Sequence, residues 1–167
     1  MDEGDLDALV ELDAFEEVRG AIDPFAEHIP DDPDERREYE RRFLHPAGHL
    51  AAIEVATGRF LGWFQLQDER GLALGAAAAA AAPARTEVEI GYRLRPDAWG
   101  QGFATEGAAA LLADALGRPE VARVYAHALL SNRGSIRVME KIGMTYAGPW
   151  SYRGLEGAEY EALPAGT

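Results

Sequence analysis

A single α/β (or α+β) domain is what the sequence predicts, on three observations. The chain of 167 residues is long enough for one domain with a real core. Its 47% apolar and 27% charged content is that of a soluble globular protein. Segments with strand periodicity are interleaved with helical ones, without an internal repeat.

From Asp5 to about Val18, Leu6, Leu9, Val10 and Ala14 recur mostly at three- and four-residue steps, which predicts an amphipathic first helix. Pro24 and Pro30 break the chain, and a second helix is expected from Pro33 to Phe43, capped by Asp32. Its charged middle, Glu35 to Arg42, reads as a solvated face. His49 to Val55 and Arg59 to Leu66, around Thr57-Gly58, read as a hairpin. Asp68 to Thr86, with its alanine run 76–82 ended by Pro83, reads as a variable loop.

Glu87 to Leu94 alternates Val88, Ile90, Tyr92 and Leu94 against Glu87, Glu89, Gly91 and Arg93, a strand with two distinct faces. The glycine-rich turn Trp99-Gly100-Gln101-Gly102 leads into a helix whose stripe is Phe103, Gly107, Ala108, Leu111, Leu112, Ala115 and Leu116, stopped by Gly117 and Pro119. Val121 to Leu129 is a buried strand, Gly134 to Ile142 a short helix, and Met144 to Tyr152 and Ala158 to Leu163 closing strands.

Composition excludes several functions. With 16 basic against 29 acidic residues, the net charge of −13 argues against nucleic acid, which needs clustered cations. That field would attract a cationic substrate, although an acidic surface serves equally to keep a protein soluble. The absence of cysteine rules out disulfides, thiolate zinc sites and cysteine nucleophiles, and the four histidines have no metal-ligand spacing. No apolar run approaches the roughly 20 residues that span a bilayer, and the amino terminus is acidic, so a cytoplasmic protein without membrane partners is expected.

The chemistry-bearing segment is a strand ending at Leu94, a turn at Gly100 to Gly102 and a helix opening with Thr105, Glu106 and Gly107. Small residues there let backbone amides converge at a helix start, where an anion such as a phosphate binds without a lysine. A ligand-free tight turn would have the same glycines, and neither a Walker lysine nor a dinucleotide glycine pattern is present.

Gly91 to Leu94 (GYRL), Trp99 to Glu106 (WGQGFATE) and Asn132 to Met144 (NRGSIRVMEKIGM) together resemble the paired motifs of GNAT acetyltransferases, most closely the subgroup that acetylates ribosomal-protein amino termini. The resemblance covers about Glu87 to Gly148 strongly and the rest weakly. It implies a mixed, mostly antiparallel sheet with a central splayed parallel pair and flanking helices. It also implies acetyl-CoA as acyl donor, lying between the strands around Glu89 to Leu94 and Val121 to Leu129. Its pyrophosphate would sit on the amides of Gly100, Gln101, Gly102, Phe103, Ala104 and Thr105, and its pantetheine would pair with the backbone at Leu94. Asn132 and Ser135 resemble the polar positions facing the pantetheine arm; as turn and helix-start residues they would also be explained without a ligand. Where the family has Gln or Arg before the small positions, this chain has Trp99, a departure that amide binding tolerates.

The expected reaction is direct acetyl transfer to a primary amine, either a protein amino terminus or a small cationic amine. The alternative is a non-catalytic acyl-CoA-binding or sensing module. At pH 7 deprotonation costs about 4.6 kcal/mol for a lysine-like amine and about 1 kcal/mol for an α-amino group, so a base matters most for the former. Glu89 is the favoured base of the two carboxylates on this strand face; alternatively both Glu87 and Glu89 simply face solvent or pair with Arg93, and His127 is the runner-up base or a half-buried structural histidine. Many family members carry a thiolate-protonating Tyr seven residues after the Asn, and here Met139 stands there, which leaves Ser135 or water. Trp63, Phe64 and Trp150 are read as core residues in preference to platforms for the acceptor. The β-strand with which the family normally opens is missing, and an uncovered sheet edge there would favour a homodimer.

Overall fold

The computed structural model describes residues 1–22, 29–41, 44, 49–68 and 86–165. Aspartates set the helical front of the chain. Asp2 accepts the Gly4 N–H (2.8 Å) to start a 3-10 turn, Glu3–Asp5, that runs into α1 (Leu6–Leu12). The first helix is shorter than its periodicity predicts, because Asp13 leaves it to pair, fully buried, with the guanidinium of Arg93 in the sheet. A separate helix α2 (Glu16–Ile22) follows, and Leu6, Leu9, Leu12, Val18 and Leu44 pack with Trp63 in a satellite core.

Helix α3 (Pro33–Glu40) begins as expected, with Asp32 accepting the N–H groups of Asp34 and Glu35 (3.0 Å each). Phe43, where the sequence would end it, lies outside the described residues, as do Pro24 and positions 69–85 of the alanine-rich loop. The solvated-face reading fails at two positions, since Arg36 and Glu40 are buried. Arg36 is drawn inward by the carbonyls of Pro30 (2.8 Å) and Asp31 (3.1 Å).

Six strands form one sheet: β1 (His49–Ile53), β2 (Phe60–Asp68), β3 (Thr86–Leu94), β4 (Val121–Leu129), β5 (Thr145–Tyr152) and β6 (Leu155–Ala162), in the spatial order β1-β2-β3-β4-β6-β5. Every neighbouring pair is antiparallel except β3 and β4, which are parallel and are linked by α4 (Phe103–Leu116). Helix α5 (Arg133–Lys141) follows β4, starting and ending one residue earlier than expected. The last strand begins at Leu155, three residues before the expected Ala158, because Arg153 and Gly154 both take positive φ (48° and 82°) and close a tight turn.

One face of the sheet carries the main core. Val88, Ile90, Leu94, Val124, Ala126 and Ala128 meet Ala108, Leu112 and Ala115 of α4 and Ile136 and Met139 of α5. Each large aliphatic side chain so buried contributes about 1.5–3 kcal/mol. Gly107 lets α4 lie directly on β2, since a Cβ there would stand 2.2 Å from Phe64 Cζ. The opposite face is covered near Trp63 by the satellite core and is polar towards β4 and β6, where Glu87, Glu89, Arg123, His127, Glu159 and Glu161 meet. No strand precedes α1 among the described residues, and β1 is an edge of the sheet, with the Met1 amino group donating to the His49 carbonyl (3.3 Å).

Candidate active site

The parallel pair creates an opening in the sheet. β3 and β4 pair from Thr86 and Val121 to Glu89 and Tyr125, and beyond that point no pairing joins them among the described residues. Strand alternation decides what faces the opening. Thr86 donates to Glu120 on the β4 side (2.7 Å) and Arg95 donates to Leu61 on the β2 side (2.8 Å), so even-numbered β3 residues, Tyr92 and Leu94 included, turn their peptide groups towards β4. Leu94 is buried, and its carbonyl is already occupied by the Trp99 indole N–H (2.8 Å). The Leu94 N–H is therefore the group left to face the gap, which narrows the expectation of a wholly free backbone there.

Below the opening, Pro96–Ala98 form a 3-10 turn, and Gly100 and Gly102 take φ of 73° and 95°. Gly102 is the N-cap of the 14-residue α4 and no side chain caps the helix, so its first N–H groups, at Phe103, Ala104 and Thr105, have no intrahelical partner. The Glu106 N–H is the first to bond back, to Gly102 (2.9 Å). A Cβ built on Gly100 or Gly102 would meet nothing within 4 Å, so the space over these amides is open to a phosphate. The Gln101 side chain turns away to the Asp97 carbonyl (2.6 Å). Trp99, unexpected at the family's Gln or Arg position, acts here as a brace between the strand end and the turn.

A cavity of about 180 Å³ runs through the opening, lined by Glu89, Tyr92, His127, Asn132, Ser135 and Trp150 among others. Asn132 is the N-cap of α5 and accepts the Ser135 N–H (3.1 Å), so the capping role and a cavity-facing position coexist. Met139 also lines the cavity, and supplies no proton.

The three candidate bases differ sharply. Glu87 is half exposed, ion-paired with Arg123 (3.0 Å) and outside the cavity lining. Arg93 is held by Asp13 and does not pair with Glu87. Glu89 lines the cavity with its carboxylate 3.5 Å from His127 Nδ1, while His127 Nε2 meets Glu159 at 2.8 Å. Burial disfavours the charged imidazole, but hydrogen bonds and charge from Glu89 and Glu159 outweigh it and raise the His127 pKa above its ordinary value. Arg123 and then His127 hold the Glu159 carboxyl below the usual range. The histidine thus lies between two carboxylates that favour its charged form, which suits it better to hold a proton than to take one from an ammonium.

Trp63 and Phe64 are core residues, as the sequence suggests, though Trp63 also reaches the cavity. Trp150 departs from that reading. It belongs to neither core cluster; it stacks on His127 (4.5 Å, 15°) and nearly parallel to Tyr152 (5.9 Å, 6°) at the cavity wall. Tyr92, Tyr152 and Glu159 were not singled out by sequence reasoning. For Tyr92 the signal was its place in GYRL, whereas Tyr152 and Glu159 are brought in by the β5–β6 hairpin from outside the motifs. No group of side chains able to hold a metal occurs among the described residues, and no described helix is long and apolar enough to cross a membrane.

A family model described as an acetyltransferase (GNAT) domain matches residues 1–145. Among solved structures, a GNAT-family acetyltransferase from Bacillus anthracis superposes with a TM-score of 0.74 at 21% identity, covering 96% of this chain and 90% of that one. The aminoglycoside acetyltransferase AAC(6')-Ib, solved with coenzyme A, gives 0.71 at 20% identity, with 98% and 91% covered. Spermidine N-acetyltransferase from Vibrio cholerae, solved with CoA and spermine, gives 0.70 at 15% identity, with 99% and 93% covered. At these identities the likeness is one of fold. The uncharacterized protein YkkB of Bacillus subtilis (strain 168) is 40% identical over 63 residues, 38% of this chain, and the match spans only 37% of that relative.

Proposed function

Since the chain belongs to the GNAT acetyltransferase family, we propose that residues 1–167 form one cytoplasmic acetyltransferase domain that moves an acetyl group from acetyl-CoA directly to a primary amine. The observation that carries this reading is the end of β3–β4 pairing at Glu89, directly above the uncapped start of α4. The N–H groups of Phe103, Ala104 and Thr105, beside those of Gly100, Gln101 and Gly102, would hold the pyrophosphate, and the Tyr92 and Leu94 backbone would receive the pantetheine as an added strand. When bound, the donor supplies an activated thioester.

Within the cavity, Glu89 accepts the proton that the amine must lose. The His127 imidazole holds the Glu89 carboxylate in place from one side, and the Glu159 and Arg123 carboxylate–guanidinium pair fixes the imidazole from behind. Ser135, at the start of α5, serves the thiol side. An acceptor carrying positive charge is supported by the paired carboxylates, by the aromatic wall of Trp150 and Tyr152, and by the net charge of −13. The polycationic acceptors named for two structural neighbours agree in chemistry. A protein amino terminus, the acceptor of the ribosomal-protein subgroup, rests on the motifs WGQGFATE and NRGSIRVMEKIGM alone.

The test is release of CoA thiol when the purified chain and acetyl-CoA meet spermine, kanamycin or a peptide with a free amino terminus, with the product checked for a new amide by mass. Amine-dependent release with acetylated product is expected. Binding of acetyl-CoA without release would leave an acyl-CoA-binding module, and no binding would sink both readings.

A further inference from the structure

Within the acetyl-transfer reading, on which this inference rests, we propose that Tyr92 is the acid that protonates the departing CoA thiolate. Tyr92 and Glu89 are three residues apart on β3, so their side chains leave opposite faces of the sheet while both line the same cavity. Glu89 and His127 occupy one side of the opening. Tyr92 is on the other, with Ser135 of α5, in a surround of Ile90, Met139 and Met144.

The Tyr92 ring is held against Phe64 (5.7 Å, 45°), so its hydroxyl has a defined position. That hydroxyl is fully buried, with the Ser135 side chain beside it on the cavity wall. A phenol has one proton to give and two lone pairs, so next to Ser135 it keeps hydrogen-bonding capacity that a group entering the opening can take up. Burial raises the Tyr92 pKa, and the neighbouring Ser135 hydroxyl lowers it only in part, so the phenol enters the reaction protonated. Met139 on this side has no proton to give, and the Ser135 hydroxyl, a far weaker acid than a phenol, serves the thiol side by relaying a proton to Tyr92.

In the step itself, the amine nitrogen bonds to the thioester carbon and its proton passes to Glu89. The carbon–sulfur bond breaks with its electron pair on sulfur, and the Tyr92 Oη–H proton moves to that sulfur, giving free thiol. The phenolate recovers a proton from solvent through the Ser135 hydroxyl while Glu89 returns its own to solvent. The balance is neutral amine plus thioester to amide plus thiol.

The test uses Tyr92→Phe in the full chain with CoA itself as probe. Ionisation of the bound thiol is followed by thiolate absorbance near 240 nm, with the matching desulfo-CoA complex subtracted. A phenol that donates to the thiolate stabilises it, so the thiol pKa in the wild-type complex is expected about one to two units below that in the variant. CoA affinity is retained. Turnover of the amine that passes the thiol-release screen falls about a hundredfold. Equal thiol pKa values in the two complexes would overturn the assignment and leave acetyl transfer standing. A wild-type chain that binds no CoA would overturn both.

Discussion

Replacing Gly102 tests the anion site more sharply than any other change, because the effect of charge can be separated from that of shape. Gly102 has φ of 95°, so any side chain there strains the backbone by about 1–2 kcal/mol, but its Cβ would touch nothing within 4 Å in the free protein. Gly102→Gln and Gly102→Glu therefore share the strain and the bulk and differ only in charge. A carboxylate about 5 Å from a dianionic pyrophosphate repels it by about 1.7 kcal/mol even at the dielectric of water, and by more in a partly buried turn. Before screening that is about a 17-fold loss of affinity, and with a Debye length of about 8 Å at physiological salt it stays near 5- to 10-fold. Calorimetric titration with acetyl-CoA should give a dissociation constant for the Glu variant larger than that of the Gln variant by this factor, closing as salt rises to about 1 M. Equal constants for the two variants at low salt would refute an amide-borne pyrophosphate at the start of α4.

Three further outcomes are expected. Glu89→Gln should slow single-turnover acetyl transfer by about 10²–10³-fold for an amine of pKa near 10 and far less for an α-amino peptide, in rapid-quench measurements; equal slowing for both would remove Glu89 as the base. His127 has a raised pKa in the fold, so its stabilisation is complete below its unfolded value of about 6.5 and is lost as pH rises through the folded one. The gap in urea midpoint between wild type and His127→Gln should accordingly be wider at pH 5.5 than at pH 9, and a gap that widens with pH would contradict the ion-pair geometry. Gly107→Ala, which in an exposed helix would gain about 1 kcal/mol, should instead cost about 1–3 kcal/mol in urea unfolding, because the new methyl meets Phe64. A stabilised variant would mean that α4 can lift off β2.

Where side-chain pattern alone decides structure, the sequence was a good guide. Val121–Leu129 is a strand with the expected bounds, and the hairpin, the α4 stripe and the Asp32 cap follow from neighbours in the chain. The failures are long-range. Asp13 interrupts the first helix for an arginine 80 residues away, and Arg36 and Glu40 are buried although the charge around them reads as solvated. The site divides in the same way. The glycine turn and Glu89 sit inside a local motif, whereas the aromatic wall at Trp150 and the second carboxylate at Glu159 arrive on a hairpin whose register nothing near Glu89 encodes. Tyr92 was present in the motif, but its significance depends on the burial of its hydroxyl beside Ser135 of another element, which no sequence pattern reports.

The short seam between β3 and β4 has a mechanical meaning. Four residue pairs, from Thr86 to Glu89, rivet one blade of the sheet, β1-β2-β3, to the other, β4-β6-β5, and α4 lies across the joint as a splint. Past the rivets the blades stand apart, as the open legs of a clothes peg do. A chain-like ligand entering between them and bonding to the β3 edge would finish the sheet as well as occupy it, laid down as one further strand.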